Sequence, residues 1–161
     1  MAFAKTIDGV DVIVDDEWAW LLVSRPWHVE TTGYIRAHRS VKNQQDKTYR
    51  ADLLHRVILG LSDGDTTEVD HRNRNKADNR RENLRPCTAS QNQAARPFPP
   101  GATSTYRGVR WEADRGRWRA GITCNWKRHY LGRFATEKAA ALAYNQAATK
   151  LFGEFAVLNE V

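Results

Sequence analysis

The chain of 161 residues has only two cysteines, Cys87 and Cys124, far apart and in no CxxC pair. That excludes a disulfide framework and a zinc centre built on cysteine. No apolar run approaches a membrane span, and the opening MAFAKTIDGV lacks the apolar core of a secretory signal. A soluble protein that stays in the cytoplasm, with no membrane partner, is expected. Acids are scarce in one region, because residues 104–134 hold only Glu112 and Asp114. What is present argues for folded protein: 41% apolar residues and six tryptophans, enough to build cores.

The net charge of +6 is unevenly placed. Residues 1–95 carry 14 Lys/Arg and 14 Asp/Glu, whereas residues 96–161 carry 11 and 5, so the whole excess lies in the C-terminal part. A local basic excess suits a polyanion, whose neutralised phosphates release counterions. The charge changes at ARPFPPGATS, residues 95 to 104, where three prolines and a glycine read as a spacer. Two units are expected, 1–95 and 105–161, joined by a linker over 96–104.

In the first unit, Val10, Val12 and Val14 alternate as in a strand, and a turn or short helix carries Trp18 and Trp20. PWHVETTGYIRAHRS reads as a hairpin turning near Gly33. Leu53, Leu54, Val57, Ile58 and Leu61 have helical spacing. Then comes VDHRNRNKADNRRENL, residues 69 to 84, a basic, Asn-rich loop entered through Asp70 and His71. If the two end a strand, they point to opposite sides. A histidine accepts protons near neutral pH, and a carboxylate and an amide oxygen are hard ligands for Mg2+. Phosphodiester hydrolysis needs such a base and such a cation. Asn92, in a short helix after the N-cap Thr88, is the candidate second ligand, and Asn79 and Asn83 can tie the loop through backbone hydrogen bonds. An Asp-His pair beside a solvated turn, with no chemistry, is the plainer alternative for any one such pair. Arg72, Arg74, Arg80, Arg81 and Arg85 are candidates for a phosphate path.

The second unit reads as three strands and a helix: YRGVRWEA, RGRWRAGITCN and RHYLGRF, then a helix from the cap Thr136 to the stop at Gly153. Arg117, Arg119, Gly121 and Thr123 share one strand face, and Trp118, Ala120, Ile122 and Cys124 share the other. Arg128 and Tyr130 share a parity, with Leu131 opposite. Arg110 and Glu112 oppose Val109 and Trp111. A helix face of Ala139, Ala140, Leu142, Ala143, Ala147 and Leu151 is expected to cover the Trp118 face, with Trp111 and Trp118 in the core. The arginines then stay bare on a sheet of a width that enters the major groove.

The stretch VDHRNRNKADNRRENLRPCTASQNQAA resembles the HNH nuclease motif, of the His-Asn-Asn subtype of homing and phage endonucleases. The resemblance implies a ββα-metal fold, His71 as general base, Asn83 as the catalytic-loop brace, and Asp70 and Asn92 on one divalent ion per chain, Mg2+ or Mn2+ and not zinc. Many members have His where Asn92 stands. His55, in LLHRV, resembles a recurring position upstream of the motif, and its helical setting favours a core or interdomain hydrogen bond over catalysis.

Residues 104–159, through YRGVR, LGRF, AAALAYNQAA and FGEFAVLN, resemble the APETALA2/ethylene-response-factor DNA-binding domain. That implies an α+β chain in which Arg107, Arg110, Arg117, Arg119, Arg128 and Tyr130 contact double-stranded DNA. Plant members commonly differ at Gly121, Thr123 and Tyr130. The pairing suggests a bacterial or phage source and a site-directed homing-type endonuclease. A DNA-binding regulator with an inactive HNH fold, and a packaging protein, are the alternatives.

Overall fold

The computed structural model describes residues 1–38, 51–97 and 103–161, so residues 98–102 of the expected linker lie outside the described residues. The chain divides into two compact units, Met1–Cys87 and Thr88–Val161. Small antiparallel sheets and a few helices make up both, in the mixed α and β composition expected.

In the first unit, β1 (Ala2–Lys5) pairs with β2 (Asp11–Val14). The valine alternation operates as expected, with Val12 and Val14 buried, although Val10 lies outside the strand and is exposed. A single 3-10 turn leads into α1 (Ala19–Ser24). β3 (His28–Val29) and β4 (Ile35–His38) form the hairpin, whose turn uses Gly33 at φ +85°. β5 (Ala51–Leu53) adds to the same sheet in the order β3-β4-β5. The helix expected from Leu53 to Leu61 is shorter: Leu53 ends β5, and α2 covers only Leu54–Ile58. Pairing of Leu53 with Arg36 draws the chain into the sheet before the helical pattern takes over. Leu54 and Ile58 enter a core with Val12, Val14, Ile35 and Val69.

β6 (Glu68–His71) and β7 (Leu84–Cys87) then pair in antiparallel register, with His71 opposite Leu84 and Asp70 opposite Arg85. The intervening loop is pinned from outside by β2. Ile13 N–H donates to the Ala77 carbonyl at 2.9 Å, and Asn79 N–H donates to the Ile13 carbonyl at 2.7 Å.

The second unit opens with α3 (Ala89–Ala95). Its capping box has Gln91 N–H donating to the Thr88 hydroxyl and Thr88 N–H donating to the Gln91 side chain. β8 (Val109–Glu112), β9 (Arg117–Cys124) and β10 (Lys127–Phe134) form a sheet ordered β10-β9-β8. Asn125 and Trp126, both at positive φ, make the two-residue turn that a tight hairpin demands. α4 (Glu137–Phe152) starts at Thr136, whose hydroxyl accepts from Ala139 N–H, and stops at Gly153.

Two expectations for this unit need correction. The buried stripe of α4 is Ala140, Ala141, Tyr144, Ala148 and Phe152, while Leu142 and Leu151 are exposed. Alanines let the helix approach the sheet closely, and this brings the Tyr144 ring against Gly108. Trp111 is 40% exposed and packs on Trp118 (ring centroids 5.1 Å apart) from the edge strand β8. Trp118 itself is half-buried against the core of Val109, Ala120, Ala140 and Ala141.

Gly108 sits at φ +74°, and a Cβ there would lie 2.6 Å from the Gly121 carbonyl oxygen and closer still to the Tyr144 ring. Left-handed strain and overpacking act together in Gly108→Ala. A loss of about 1–3 kcal/mol is expected from overpacking alone, read as a lower urea midpoint in the fluorescence of this tryptophan-containing unit.

Candidate active site and nucleic-acid interface

The loop from Arg72 to Asn83 is built of side chains that answer backbone groups. Asn83 is buried: its Nδ2 donates to the Asp78 carbonyl at 2.6 Å, and its Oδ1 accepts from Asn73 N–H at 3.0 Å. Asn73 Nδ2 donates to Asp78 Oδ2 at 2.8 Å, and its Oδ1 caps Asn75 N–H. Asp78 is 2% exposed and also takes the Arg80 guanidinium on both oxygens, at 2.9 and 2.8 Å. Those donors, the Arg80 side chain first, hold its carboxyl below the usual range. Sequence reasoning missed Asp78, and nothing in its local sequence separates it from a solvated loop acid.

The loop delivers His71, at the end of β6, into a buried position. The alternation along β6 buries Val69 and His71 and turns Glu68 and Asp70 toward the other face. Asn79 is fully buried; its Nδ2 donates to the Lys76 carbonyl at 3.1 Å, leaving its Oδ1 as an acceptor for His71 Nε2 at 3.4 Å. That arrangement places the ring proton on Nε2 and a lone pair on Nδ1. Burial pushes the His71 imidazole below its ordinary value, against the opposing effects of the Asn79 bond and the Asp70 charge. It is therefore neutral, and able to accept a proton, at neutral pH.

Asp70, on the other face, accepts from Arg85 Nε at 2.8 Å and faces its terminal nitrogen at 2.7 Å, across the register pair of β6 and β7. Of the five arginines proposed for a phosphate path, Arg80 and Arg85 are thus held by acids, and Arg81 donates to the Ile58 carbonyl at 3.3 Å. Arg74 is exposed, at φ +61°.

Among the described residues no group of three or more His, Cys, Asp or Glu could hold a metal. The Asp70 carboxylate and the Asn92 amide oxygen are each hard donors of the kind that divalent cations such as Mg2+ take. Asp70 lies in the first compact unit and Asn92, half-buried in α3, in the second.

Behind His71 stands an aromatic group. The His55 ring meets that of His71 edge-on, with centroids 5.5 Å apart, and Tyr34 lies 5.0 Å from His55 and 6.0 Å from His71. The Lys76 ammonium caps the Tyr34 ring at 4.1 Å. His55 is 4% exposed, and its Nδ1 has no hydrogen-bond partner among the described residues. The core hydrogen bond expected of it is therefore missing at that nitrogen.

In the second unit, the basic face of the sheet forms largely as the strand parity predicts, with Ala120 and Ile122 buried opposite the arginines. Arg119, Arg110 and Arg133 all converge on Glu112. Arg133 was missed because the register of β10 shifts between Tyr130 and Gly132, which flips the parity beyond that point. Gly132, at φ +128°, was the available signal. Leu131 joins the core as expected. Arg107 is placed differently from the other expected DNA contacts: its guanidinium donates to the carbonyls of Ala94 (2.7 Å), Arg96 (2.9 Å) and Gln93 (3.2 Å), at the end of α3. The Ser90 hydroxyl accepts from Asn125 N–H at 2.9 Å at the other end of that helix. Arg107, Arg110, Arg119 and Arg128 line a cavity of about 390 Å³ between α3 and the sheet.

A family model described as HNH endonuclease matches residues 52–94, and one described as AP2 domain matches residues 104–154. An uncharacterised HNH endonuclease of Acanthamoeba polyphaga mimivirus is 33% identical over 143 residues, 88% of this chain and 71% of that protein. The chain belongs to the HNH endonuclease family. Its AP2 part is similar to two plant proteins. A dehydration-responsive element-binding protein of Oryza sativa is 48% identical over 63 residues, and an AP2-like ethylene-responsive transcription factor of Arabidopsis thaliana is 47% identical over 73 residues. The chain spans only 20% and 14% of those two proteins. The nuclease-family match crosses the division between the compact units and takes in α3. No helix among the described residues is long and apolar enough to cross a membrane.

Burial lowers the His55 imidazole from 6.5 to about 3, with the His71 and Arg56 charges adding to the effect. Below pH 6.5 the unfolded chain takes up a proton that the folded chain refuses until about pH 3, so stability falls with pH across that window, by up to about 1.4 kcal/mol per unit. Acid unfolding of His55→Phe, which keeps a ring against Tyr34, should show a shallower fall over the same window.

Proposed function

We propose that the protein is a site-directed, divalent-metal-dependent DNA endonuclease of the homing type, with a nuclease domain over 1–95, a tether over 96–104 and a DNA-reading domain over 105–161. The observation that carries this reading is His71: buried, neutral, held by Asn79, and sharing a strand end with Asp70, which faces the other way. The hairpin of β6 and β7 and the helix α3 supply, in chain order, the parts of a ββα-metal fold. Asp70 and Asn92 would hold one Mg2+ or Mn2+ ion, which, when bound, offsets charge on the scissile phosphate and the leaving oxygen. His71 Nδ1 takes the proton of the attacking water, while Asn79 keeps the ring in the tautomer that leaves this nitrogen bare. Asn83 contributes by fixing the loop that presents His71. Arg85 occupies Asp70 when no cation does, so that the carboxylate is not left without a counter-charge.

The DNA-reading role is supported by the AP2 match and by the arginine face of the sheet. Arg110, Arg117, Arg119, Arg128 and Tyr130 are the proposed contacts to duplex DNA, with Arg107 at their margin. The cytoplasm of a bacterial or phage-infected cell is the proposed setting, in keeping with the viral relative.

Incubation of supercoiled plasmid with Mg2+ should give open-circular or linear product, and EDTA should prevent it. His71→Ala should cut at least about 100-fold more slowly, the usual share of a general base, while gel shifts in EDTA remain unchanged. Equal cutting by that variant would remove His71 from the role. Absence of scission by the unaltered protein with Mg2+ or Mn2+, on DNA it binds, would favour a regulator with an inactive HNH fold.

A further inference from the structure

The sheet register sets three arginines side by side. Arg110 pairs with Arg119 across β8 and β9, and Arg119 pairs with Arg133 across β9 and β10. Like charges directly opposite one another destabilise a sheet, so such a row needs a counter-charge. Glu112 supplies it from β8, two residues beyond Arg110 on the same face. Its Oε2 accepts from Arg133 Nε at 2.6 Å, and its Oε1 accepts from Arg119 at 3.1 Å and from Arg110 at 3.5 Å. The Tyr130 ring faces two of the guanidiniums, at 5.2 Å from Arg119 and 5.5 Å from Arg133. The Glu112 side chain is 8% exposed, whereas those of Arg110 and Arg133 are 54% and 42% exposed. One buried acid thus holds the inner edges of three guanidiniums whose outer parts reach solvent.

An acid on a DNA-facing surface opposes phosphate attraction, so affinity alone does not explain it. Fixing the guanidiniums does. An arginine tied by one edge presents its remaining donors in a set direction, which suits bidentate pairing with a base edge, guanine O6 and N7 above all. An untied arginine is free to reach any phosphate. We propose that Glu112 is a specificity-determining residue, one that orients Arg110, Arg119 and Arg133 as a fixed fan for base edges in the major groove of duplex DNA. This rests on the DNA-reading role proposed above. Residual charge on the row is one acid against three bases, so the patch still draws DNA in.

The test is selection from a pool of random duplexes by the full-length chain in EDTA, which withholds metal and so prevents cutting. It is run for the unaltered protein, Glu112→Gln and Arg133→Gln, each checked for an unchanged circular dichroism spectrum and thermal midpoint. The unaltered protein should enrich a motif. Glu112→Gln should enrich it with reduced information, and its ratio of specific to non-specific affinity should fall about tenfold, within the discrimination a bidentate base contact provides. Its non-specific binding should tighten, with a salt slope steeper by about 0.9 as one more arginine reaches phosphate. Arg133→Gln should lose information at the same motif positions without the steeper slope. The proposal is overturned if Glu112→Gln enriches the same motif with the same information while both affinities rise equally, since Glu112 would then act as a charge alone. A different result, an unaltered protein that binds DNA but enriches no motif, would sink the DNA-reading role itself. Should Glu112→Gln fail to fold, unchanged motif information in Arg133→Gln would still overturn the fan.

Discussion

Asp78, buried in the loop between β6 and β7, is the group on which the nuclease half depends. Its two oxygens take Arg80 and Asn73, its carbonyl accepts from Asn83, and the backbone on either side of it is bonded to Ile13 of β2. A buried carboxylate is costly unless every lone pair is answered, and here the answers come from residues that otherwise would have no reason to adopt loop geometry. The loop is therefore closed by side-chain bonds at Asn73, Asp78, Arg80 and Asn83. From this loop Asn79 meets one edge of His71, and its amide oxygen accepts there from the ring.

The two units use charge in mirror fashion. At the end of β6 an arginine, Arg85, covers the acid proposed to receive a cation; on the sheet of the second unit an acid, Glu112, covers arginines proposed to receive DNA. The Arg133 guanidinium, with Arg119 and Arg110, holds the Glu112 carboxyl down to about 2, so that it is ionised wherever duplex DNA is stable. In both places the free protein satisfies its own charges, and a ligand must compete for them. Such competition favours ligands that match the geometry over those that merely carry the opposite sign.

Much of the second unit was legible because its signals are local. Two-residue alternation, a turn at positive φ and caps at Thr136 and Gly153 depend only on neighbours in the chain. What was not legible came from tertiary packing. The single extra residue at Leu131 turned Arg133 onto the face of Arg119 and Arg110, and the closeness of an alanine-rich helix decided that Tyr144, rather than Leu142, faces the sheet. Across the division between the units, the order of Asp70, His71, Asn79, Asn83 and Asn92 stood out along the chain. Asp78 did not, since its importance lies in partners that only the folded loop brings to it. The truncation of α2 has the same origin, because Leu53 is claimed by a strand pairing that helical periodicity does not register.

Arg107 closes the end of α3 with three hydrogen bonds to its last carbonyls. A side chain from beyond the proline-rich stretch at 96–104 is therefore bonded to the helix that precedes it. Dissection at that boundary would leave the guanidinium without its acceptors on one fragment and the final turn of the helix uncapped on the other. For the same reason, exchange of the reading part between related proteins would carry a hidden requirement, a compatible α3. Recombination of the two halves is constrained by seven residues of helix that sequence boundaries assign to one side and hydrogen bonds assign to the other.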